Sequence, residues 1–164
     1  MIAVVRLILL RLVLLTAGLI ITTASYATES YVVTYVYDGD TVKLSNINGE
    51  FKLRLTDIDA PERNQSYGKK SSSALKKLCK GKHTFVTAQL LGIDKYNRYL
   101  GKLQCNEIDA SLYLVEHGLA WHNAKYSNDV AIFNAASRAR QQRLGLWKSK
   151  NPMPPWIWRQ KHAH

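Results

Sequence analysis

Apolar and polar positions alternate in short runs over residues 31–55. Residues 31–37 are rich in β-branched and aromatic side chains, a composition typical of a strand. Alternation then predicts further strands over residues 41–44 and 51–55. The intervening residues 38–40 and 46–49 are rich in Asp, Asn and Gly, which favour tight turns. These residues therefore predict an antiparallel meander of three strands.

Residues 63–70 are polar and predict a loop. From about residue 71 onward, three segments have apolar residues at the spacing of a helix, each bounded by residues that cap or stop helices. The predicted elements are a helix from about residue 71 to Gly81, strands over 84–91 and 98–104, a helix from Asp109 or Ser111 to His117, and a helix from Asn128 or Asp129 to Gly145.

This order of elements predicts an α+β fold. Five strands with a helix after the third fit a small Greek-key β-barrel like the oligonucleotide-binding fold, with about three α-helices. The C-terminal residues 151–158 are rich in Pro and Trp, and we expect them not to be helical. We expect this tail to fold back on the domain, because exposed tryptophans are a liability. Its use as a binding surface is the alternative.

The composition adds a strongly basic surface to this fold. The chain has 164 residues, of which 46% are hydrophobic, which suits one globular domain and argues against disorder. Its formal net charge is +11 at pH 7. Such a charge suits a polyanionic partner: nucleic acid, an anionic membrane surface or an acidic polymer.

The N-terminal segment is typical of a secretory signal peptide. Arginines precede an uncharged aliphatic run over residues 12–21, and small residues precede a cleavage point after Ala27. The run is shorter than the roughly 20 residues that a transmembrane helix needs. We therefore expect a signal peptide over residues 1–27, a mature domain over 28–164 with its tail over about 150–164, and a periplasmic or secreted location. A retained anchor is the alternative.

The sequence contains two cysteines, Cys79 and Cys105. In an exported protein a single pair favours a disulfide, which would stabilise the fold by about 3 kcal/mol for a loop of this length. Two buried free thiols are the alternative. The histidines are scattered and indicate no zinc site.

Charged residues gather in three clusters near strand ends. Adjacent strands can bring Asp40 beside Asp59, and two carboxylates with a backbone carbonyl suit Ca²⁺ or Mg²⁺ rather than zinc. Arg54 and Arg98 carry planar guanidinium groups that match phosphate oxygens. Glu62 can orient or deprotonate a water. Together these groups favour phosphodiester hydrolysis, and a solvated, charged strand end is the alternative for the middle cluster.

Taken in order, the clusters resemble those of the staphylococcal nuclease (thermonuclease) family. The family pattern is D-G-D-T, then R-x(4)-D-x-P-E, then D-K-Y-G-R. This chain has Asp38-Gly39-Asp40-Thr41, then Arg54 followed by Asp59-Ala60-Pro61-Glu62, then Asp94-Lys95-Tyr96-Asn97-Arg98. The resemblance covers about residues 32–158, and the Pro- and Trp-rich ending is similar to that of secreted Gram-negative members.

The resemblance implies a secreted, Ca²⁺-dependent endonuclease that hydrolyses DNA and RNA to products ending in 3′-phosphate. In that family pattern Asp40, Asp59 and the backbone carbonyl of Ala60 would bind the Ca²⁺. Thr41 lies nearby, and Asp38 would support the metal site from behind.

The same resemblance implies roles for the remaining motif residues. Arg54 and Arg98 would stabilise the transition state, and Glu62 would position or activate the attacking water. Tyr96 and Tyr126 would line the nucleotide pocket, and core or rim aromatics are the alternative for these two rings.

Three departures from the family pattern affect affinity and nucleotide preference rather than reaction class. Asn97 stands where the family usually has Gly, and Asn tolerates the left-handed conformation that this position would need. The loop over residues 63–70 is shorter than in the staphylococcal enzyme. Ala124 stands where that enzyme has a pocket Tyr.

The expected partners are DNA and RNA substrates, bound by a monomer without stable membrane association after signal cleavage. Two alternatives stay open. One is a non-catalytic nucleic-acid-binding module on the same barrel, and the other is an envelope protein that binds anionic polymer through its charge.

Overall fold

The computed structural model describes residues 29–162, so the predicted signal peptide over residues 1–27 lies outside the described residues. The strands are β1 (Ser30–Val36), β2 (Thr41–Asn46), β3 (Gly49–Leu55), β4 (Ile58–Asp59), β5 (Val86–Ile93), β6 (Tyr99–Cys105), β7 (Ile108–Asp109) and β8 (Trp121–His122). The helices are α1 (Gly68–Cys79), α2 (Ala110–Glu116), α3 (Val130–Gln141) and α4 (Pro155–Lys161), with a 3₁₀ turn over Gly145–Lys148. Within residues 29–162, every helix is too short or too polar to cross a membrane.

Five of the strands close into a β-barrel. β1 pairs antiparallel with β2 and β5, β2 with β3, and β5 with β6. A parallel pairing of β3 with β6, which sets Arg54 opposite Leu100, closes the ring. The predicted α+β class and the five-stranded barrel are therefore confirmed.

The barrel and the helices share one apolar core. Val42, Leu44 and Leu53 are fully buried and alternate along β2 and β3 with partly or fully exposed polar residues. Leu75 of α1 and Leu114 of α2 are buried in the same cluster. The alternation that predicts the strands is thus the one that builds the core, because successive side chains of a strand point to opposite faces.

Two aspartates begin the middle helices. Asp109 accepts a hydrogen bond from the backbone N of Leu112 over 2.9 Å and caps α2. Asp129 accepts from the backbone N of Ala131 and of Ile132, over 3.0 and 3.2 Å, and caps α3. Of the two candidates predicted for each helix, the structure selects the aspartate, whose carboxylate satisfies otherwise unpaired N–H groups.

The C-terminal tail corrects one prediction, because residues 155–161 form helix α4. Pro155 occupies the first position of that helix, where a missing N–H removes no intrahelical hydrogen bond. The tail does fold back on the domain as predicted. The ring of Trp156 meets that of Trp121 edge-on, with centroids 5.4 Å apart. The described range therefore contains four α-helices rather than about three.

Helix α1 begins at Gly68, so the predicted loop over residues 63–70 is wrong in its last three residues. Glycine often marks a loop, but here it permits a close approach of two backbones. A Cβ at Gly68 would lie 1.8 Å from the carbonyl oxygen of Glu62. The start of α1 is therefore packed directly against the segment that carries Glu62.

A disulfide joins Cys79, at the end of α1, to Cys105, at the end of β6, with Cα atoms 5.1 Å apart. The predicted disulfide is confirmed and the free-thiol alternative is wrong. The bond ties the helix that supports Glu62 to a barrel strand.

Removing this bond is expected to lower the free energy of unfolding by about 3 kcal/mol, because the unfolded chain gains the freedom of the opened loop. The variant is Cys79→Ala with Cys105→Ala, measured by urea denaturation against the oxidised wild type. The reduced wild type is the control and should match the variant. A loss below about 1 kcal/mol would contradict the prediction.

Candidate active site

Three chain segments bring Asp40, Arg54 and Asp59 together. Asp40 directly precedes β2, Arg54 lies near the end of β3, and Asp59 ends β4. The β2–β3 register sets Thr41 opposite Arg54, and the backbone N of Leu55 donates to the carbonyl of Asp40 over 2.7 Å. Arg54 donates from Nη1 to Asp40 Oδ1 and from Nη2 to Asp59 Oδ1, the latter over 3.0 Å. One guanidinium therefore clamps both carboxylates.

Both carboxylates are buried, with Asp40 1% and Asp59 3% exposed. Asp40 Oδ1 also accepts from the hydroxyl of Thr41 over 3.0 Å, and Asp40 Oδ2 accepts from the backbone N of Ala60 over 2.7 Å. Burial raises the pKa of Asp40 to about 7, and the charge of Arg54 opposes that rise. Two buried like charges are costly, and Arg54 is the cation that offsets this cost for the pair.

The turn before β2 fixes the position of Asp40. Asp38 Oδ1 accepts from the backbone N of Asp40 over 2.9 Å, so Asp38 acts by holding the turn. A Cβ on Gly39 would lie 1.9 Å from Oγ of Ser71, so this position needs glycine for α1 to pack against the turn. The D-G-D spacing thus has a local structural reason.

Glu62 is held by reciprocal bonds with Gln65. The backbone N of Glu62 donates to Gln65 Oε1 over 3.1 Å, and the backbone N of Gln65 donates to the carbonyl of Glu62 over 2.8 Å. Gln65 is buried, and its Nε2 donates to the carbonyl of Met153 over 2.7 Å. The carboxylate of Glu62 stays partly exposed. Gln65 is therefore a positioning residue, which sequence reasoning missed because its partners are backbone groups.

Arg159, from helix α4, bonds the carboxylates of Asp59 and Glu62. Its Nη2 donates to Asp59 Oδ2 over 2.7 Å, and its Nη1 donates to Asp59 Oδ1 over 3.1 Å and to Glu62 Oε1 over 2.8 Å. These bonds, the one to Asp59 most of all, raise the pKa of Arg159. Sequence reasoning missed this residue because its partners lie 100 and 97 residues earlier in the chain. Its only signal in the sequence is the apolar tail around it, which Trp156 anchors to Trp121.

Arg98 directly precedes β6, the strand that pairs with β3. Leu100, two residues further on, is opposite Arg54 in the β3–β6 register. In the described residues its ion pair is with Asp94, whose Oδ2 accepts from Nε and Nη2 of Arg98 over 2.9 and 2.7 Å. Asn97 has a φ of 59°, the left-handed conformation expected of it. Arg98 is thus fixed by Asp94 at the start of β6, the strand that pairs with β3, which carries Arg54.

Tyr96 and Tyr126 are exposed, so the core-aromatic alternative is wrong for both rings. Lys95 Nζ and Arg98 Cζ lie 5.1 and 5.4 Å from the ring centroid of Tyr96. Lys125 Nζ lies 5.1 Å from that of Tyr126. Cations beside open aromatic rings suit a nucleotide, which offers both a phosphate and a π-face.

The donor set fits a hard divalent cation in its chemistry. Carboxylate and carbonyl oxygens are the ligands that Ca²⁺ prefers. Within residues 29–162 no group of three or more His, Cys, Asp and Glu side chains is placed to share a metal. A metal at this site would therefore rest on Asp40, Asp59 and a backbone carbonyl such as that of Ala60. Because Arg159 bonds both oxygens of Asp59, it would have to withdraw from at least one of them.

Known proteins share much of this sequence. A family model described as "Staphylococcal nuclease homologue" matches residues 52–149. An uncharacterized endonuclease of Escherichia coli O157:H7 is 37% identical over 127 residues, which cover 77% of this chain and 82% of the relative. The chain belongs to the staphylococcal nuclease family. A protein named micrococcal nuclease, from Shigella flexneri, is 31% identical over 161 residues, covering 92% of this chain and 91% of the relative.

A plant relative shows that the similarity extends beyond bacteria. A staphylococcal-like nuclease of Arabidopsis thaliana is 37% identical over 110 residues, which are 67% of this chain but 33% of the relative. The staphylococcal nuclease family model covers Arg54, Asp59, Glu62 and Arg98 but ends before helix α4. Arg159, which bonds Asp59 and Glu62, therefore lies outside the segment that the family model matches.

Proposed function

We propose that this member of the staphylococcal nuclease family is a secreted, Ca²⁺-dependent endonuclease that hydrolyses phosphodiester bonds of DNA and RNA to products ending in 3′-phosphate. The observation that carries the proposal is the buried pair Asp40 and Asp59, clamped by Arg54. The partly exposed carboxylate of Glu62 is linked to Asp59 through Arg159. A buried carboxylate pair is a costly structural device, so a catalytic role is the better explanation. Relatives named endonuclease and micrococcal nuclease support the same reaction class.

Two arginines would hold the scissile phosphate. A guanidinium donates in parallel to two phosphate oxygens. Arg54 is fixed by its two carboxylate partners and Arg98 by Asp94, so neither group needs much reorganisation when substrate binds. As charge grows on the phosphate oxygens in the transition state, such fixed donors stabilise it more than they stabilise the substrate.

Glu62 would orient or deprotonate the attacking water. Its backbone is fixed through Gln65, and its carboxylate stays accessible to solvent. A carboxylate in hydrogen-bond reach can take the proton as the water oxygen bonds to phosphorus. A 3′-phosphate product requires that the bond between phosphorus and the 5′-oxygen breaks, and Arg98 would stabilise that leaving oxygen.

Asp40, Asp59 and the carbonyl of Ala60 would hold the Ca²⁺. When bound there, the ion would neutralise the phosphate and polarise it as a Lewis acid. The buried position of both carboxylates strengthens any such interaction, because little water screens it.

Export is part of the proposal and rests on the sequence of residues 1–27. The disulfide between Cys79 and Cys105 supports it, because disulfides persist in oxidising compartments such as the periplasm. We propose a monomer, because the site is built from one chain.

One observation favours a second candidate, a nucleic-acid-binding module without catalysis. Arg159 bonds both Asp59 and Glu62, and a chain that never released them would bind polyanions without cleaving them. Phosphate contacts alone supply salt-dependent affinity.

A cleavage assay with the purified protein separates the two candidates. It measures hydrolysis of single-stranded DNA and of RNA in Ca²⁺, in Mg²⁺ and in chelator. Cleavage that needs Ca²⁺ and leaves 3′-phosphate ends is the expected result. Tight binding with no cleavage in any metal would overturn the nuclease and favour the binding module. Products ending in 5′-phosphate would overturn the assigned bond cleavage.

Replacing Arg159 by glutamine is expected to tighten Ca²⁺ binding by about two- to fivefold. The arginine is a cation that competes for Asp59, and a half-exposed ion pair contributes about 0–1 kcal/mol. Isothermal titration of Ca²⁺ into the protein measures the effect.

Lys161→Gln is the matched control, since it removes one positive charge from the same helix at an exposed position. Its Ca²⁺ affinity should equal that of the wild type. An Arg159→Gln variant that binds Ca²⁺ no better than this control would show that Arg159 does not compete for the site.

A further inference from the structure

A β-bulge at Thr34 changes the direction in which the end of β1 faces. Val33 points inward and is 2% exposed, and it pairs with Leu44. The next paired residue is Tyr35, opposite Lys43, so Thr34 is left over and Tyr35 faces outward with 45% of its surface exposed. Strict alternation would have buried Tyr35 alongside Val33. Bulges re-aim side chains in this way and are common beside active sites.

The re-aimed residues form an aromatic pair beside the site. The rings of Tyr35 and Tyr37 meet edge-on, with centroids 4.9 Å apart. Lys52 Nζ lies 4.7 Å from the ring centroid of Tyr37, and Arg63 Nη1 donates to the hydroxyl of Tyr35 over 3.4 Å. Arg63 directly follows Glu62 in the chain, so Tyr35 bonds the residue next to the proposed catalytic carboxylate.

A basic groove with a volume of about 250 Å³ opens on one side of Tyr35. Lys80 is held in it by a bond from Nζ to the carbonyl of Thr34, over 2.6 Å. The residues that line this Tyr35 groove include three cations and two serines but no carboxylate. They are Tyr35, Val36, Arg63, Ser72, Ser73, Lys76 and Lys80.

The hollow on the other side of Tyr35 has a different charge balance. It has a volume of about 390 Å³ and is lined by Lys43 and Glu50, which form an ion pair with N and O 3.0 Å apart. That pair neutralises the only lysine there, whereas the Tyr35 groove keeps a net positive charge. A polyanion would therefore follow the Tyr35 groove.

We propose that the Tyr35 groove binds a single-stranded segment of the nucleic-acid substrate, adjacent to the nucleotide at the catalytic site. A base stacks on Tyr35, and phosphates contact Arg63, Lys76 and Lys80. The substrate segment is single-stranded because a duplex hides the faces of its bases, which are what a tyrosine ring stacks on. This inference rests on the proposed nuclease function and adds a second contact site to it.

The test measures binding of fluorescein-labelled dT12 by fluorescence anisotropy, in the Glu62→Gln background so that bound substrate is not consumed. Tyr35→Ala should weaken binding about tenfold, because stacking on an aromatic side chain contributes about 1–3 kcal/mol per base. Tyr35→Phe, which keeps the ring, should restore most of the affinity. Phe133→Ala removes an aromatic side chain that is 56% exposed and does not line the groove, and it should have no effect.

A second pair of variants tests the phosphate contacts. Lys76→Ala should lower the slope of log affinity against log salt by about one, and Lys77→Ala, its exposed neighbour on the same helix, should not. The proposal would be overturned if Tyr35→Ala left the affinity for dT12 unchanged. It would also be overturned if that variant weakened binding of dT12 and of a duplex probe equally.

The two proposals fail in different ways. If the nuclease function is wrong, the wild type cleaves nothing, yet dT12 binding still depends on Tyr35. If the groove is wrong, the wild type cleaves DNA and its affinity is indifferent to Tyr35 and Lys76.

Discussion

Replacing Arg54 by alanine is expected to reduce cleavage by about a thousandfold and to lower the free energy of unfolding by about 3 kcal/mol. The side chain separates two carboxylates that are almost fully buried, and a buried charge that loses its partner is strongly destabilising. The same guanidinium is proposed to meet the developing phosphate charge, where loss of one fixed donor costs about two to three orders of magnitude. Single-turnover cleavage and urea denaturation measure the two effects.

Arg54→Lys separates charge from geometry. Lysine keeps the cation beside Asp40 and Asp59 but loses the fork that reaches both carboxylates and a phosphate. We expect most of the stability to return while cleavage stays at least tenfold low. A lysine variant with wild-type cleavage would show that only the charge matters at this position.

Glu62→Gln is expected to lower the rate of the chemical step by about 10²- to 10⁴-fold while leaving substrate affinity and stability nearly unchanged. Glutamine keeps the shape and a hydrogen bond to the water but cannot accept its proton. The side chain is partly exposed, and the Gln65 bonds that hold this segment use the backbone of residue 62, so the fold should tolerate the change. Single-turnover cleavage under saturating Ca²⁺ isolates this step.

Glu116→Gln is the matched control. Glu116 ends helix α2 and is exposed, and its Oε1 lies 3.6 Å from Nη2 of Arg138. Its rate should equal that of the wild type. If Glu62→Gln cleaved as fast as this control, Glu62 would have no role in activating the water.

Much of the barrel could be predicted because its strands obey the alternation rule. Leu44 and Leu53 each lie between two polar residues, in segments where every second position is apolar. The pattern alone therefore predicts a strand at each and an inward-facing side chain. The same rule gives the wrong face for Tyr35, because a bulge at Thr34 depends on the pairing with β2 and leaves no local mark in the sequence.

The candidate site divides in the same way. The meeting of Asp40 and Asp59 could be predicted because short adjacent strands joined by tight turns bring them together. The clamp by Arg54 was not predicted, since the sequence assigned that arginine to phosphate. Arg159 could not be predicted, since its position depends on how α4 docks through Trp156 and Gln65, both long-range contacts. The error about the tail has a simple cause: three prolines suggest a break, whereas Pro155 at the first position is compatible with a helix.

Helix α4 contributes one of the two arginines that bond Asp59. Asp59 receives Arg54 from the barrel side and Arg159 from the tail side, so its two oxygens are satisfied even without a metal. A buried carboxylate that is satisfied in this way costs the fold less. The contact between helix α4 and Asp59 is therefore expected to stabilise the domain when no metal is bound.

The most direct test of the central claim compares two variants, Asp59→Asn and Asp57→Asn, in the hydrolysis of single-stranded DNA. The two aspartates are two residues apart, but Asp57 turns away, with Oδ2 accepting from the hydroxyl of Thr56 over 2.9 Å and lying 3.8 Å from Lys102 Nζ. We predict that Asp59→Asn loses at least about a hundredfold in Ca²⁺-dependent cleavage while Asp57→Asn cleaves like the wild type. Wild-type cleavage by a folded Asp59→Asn protein would contradict the account, because the clamped carboxylate pair would then not be the active site.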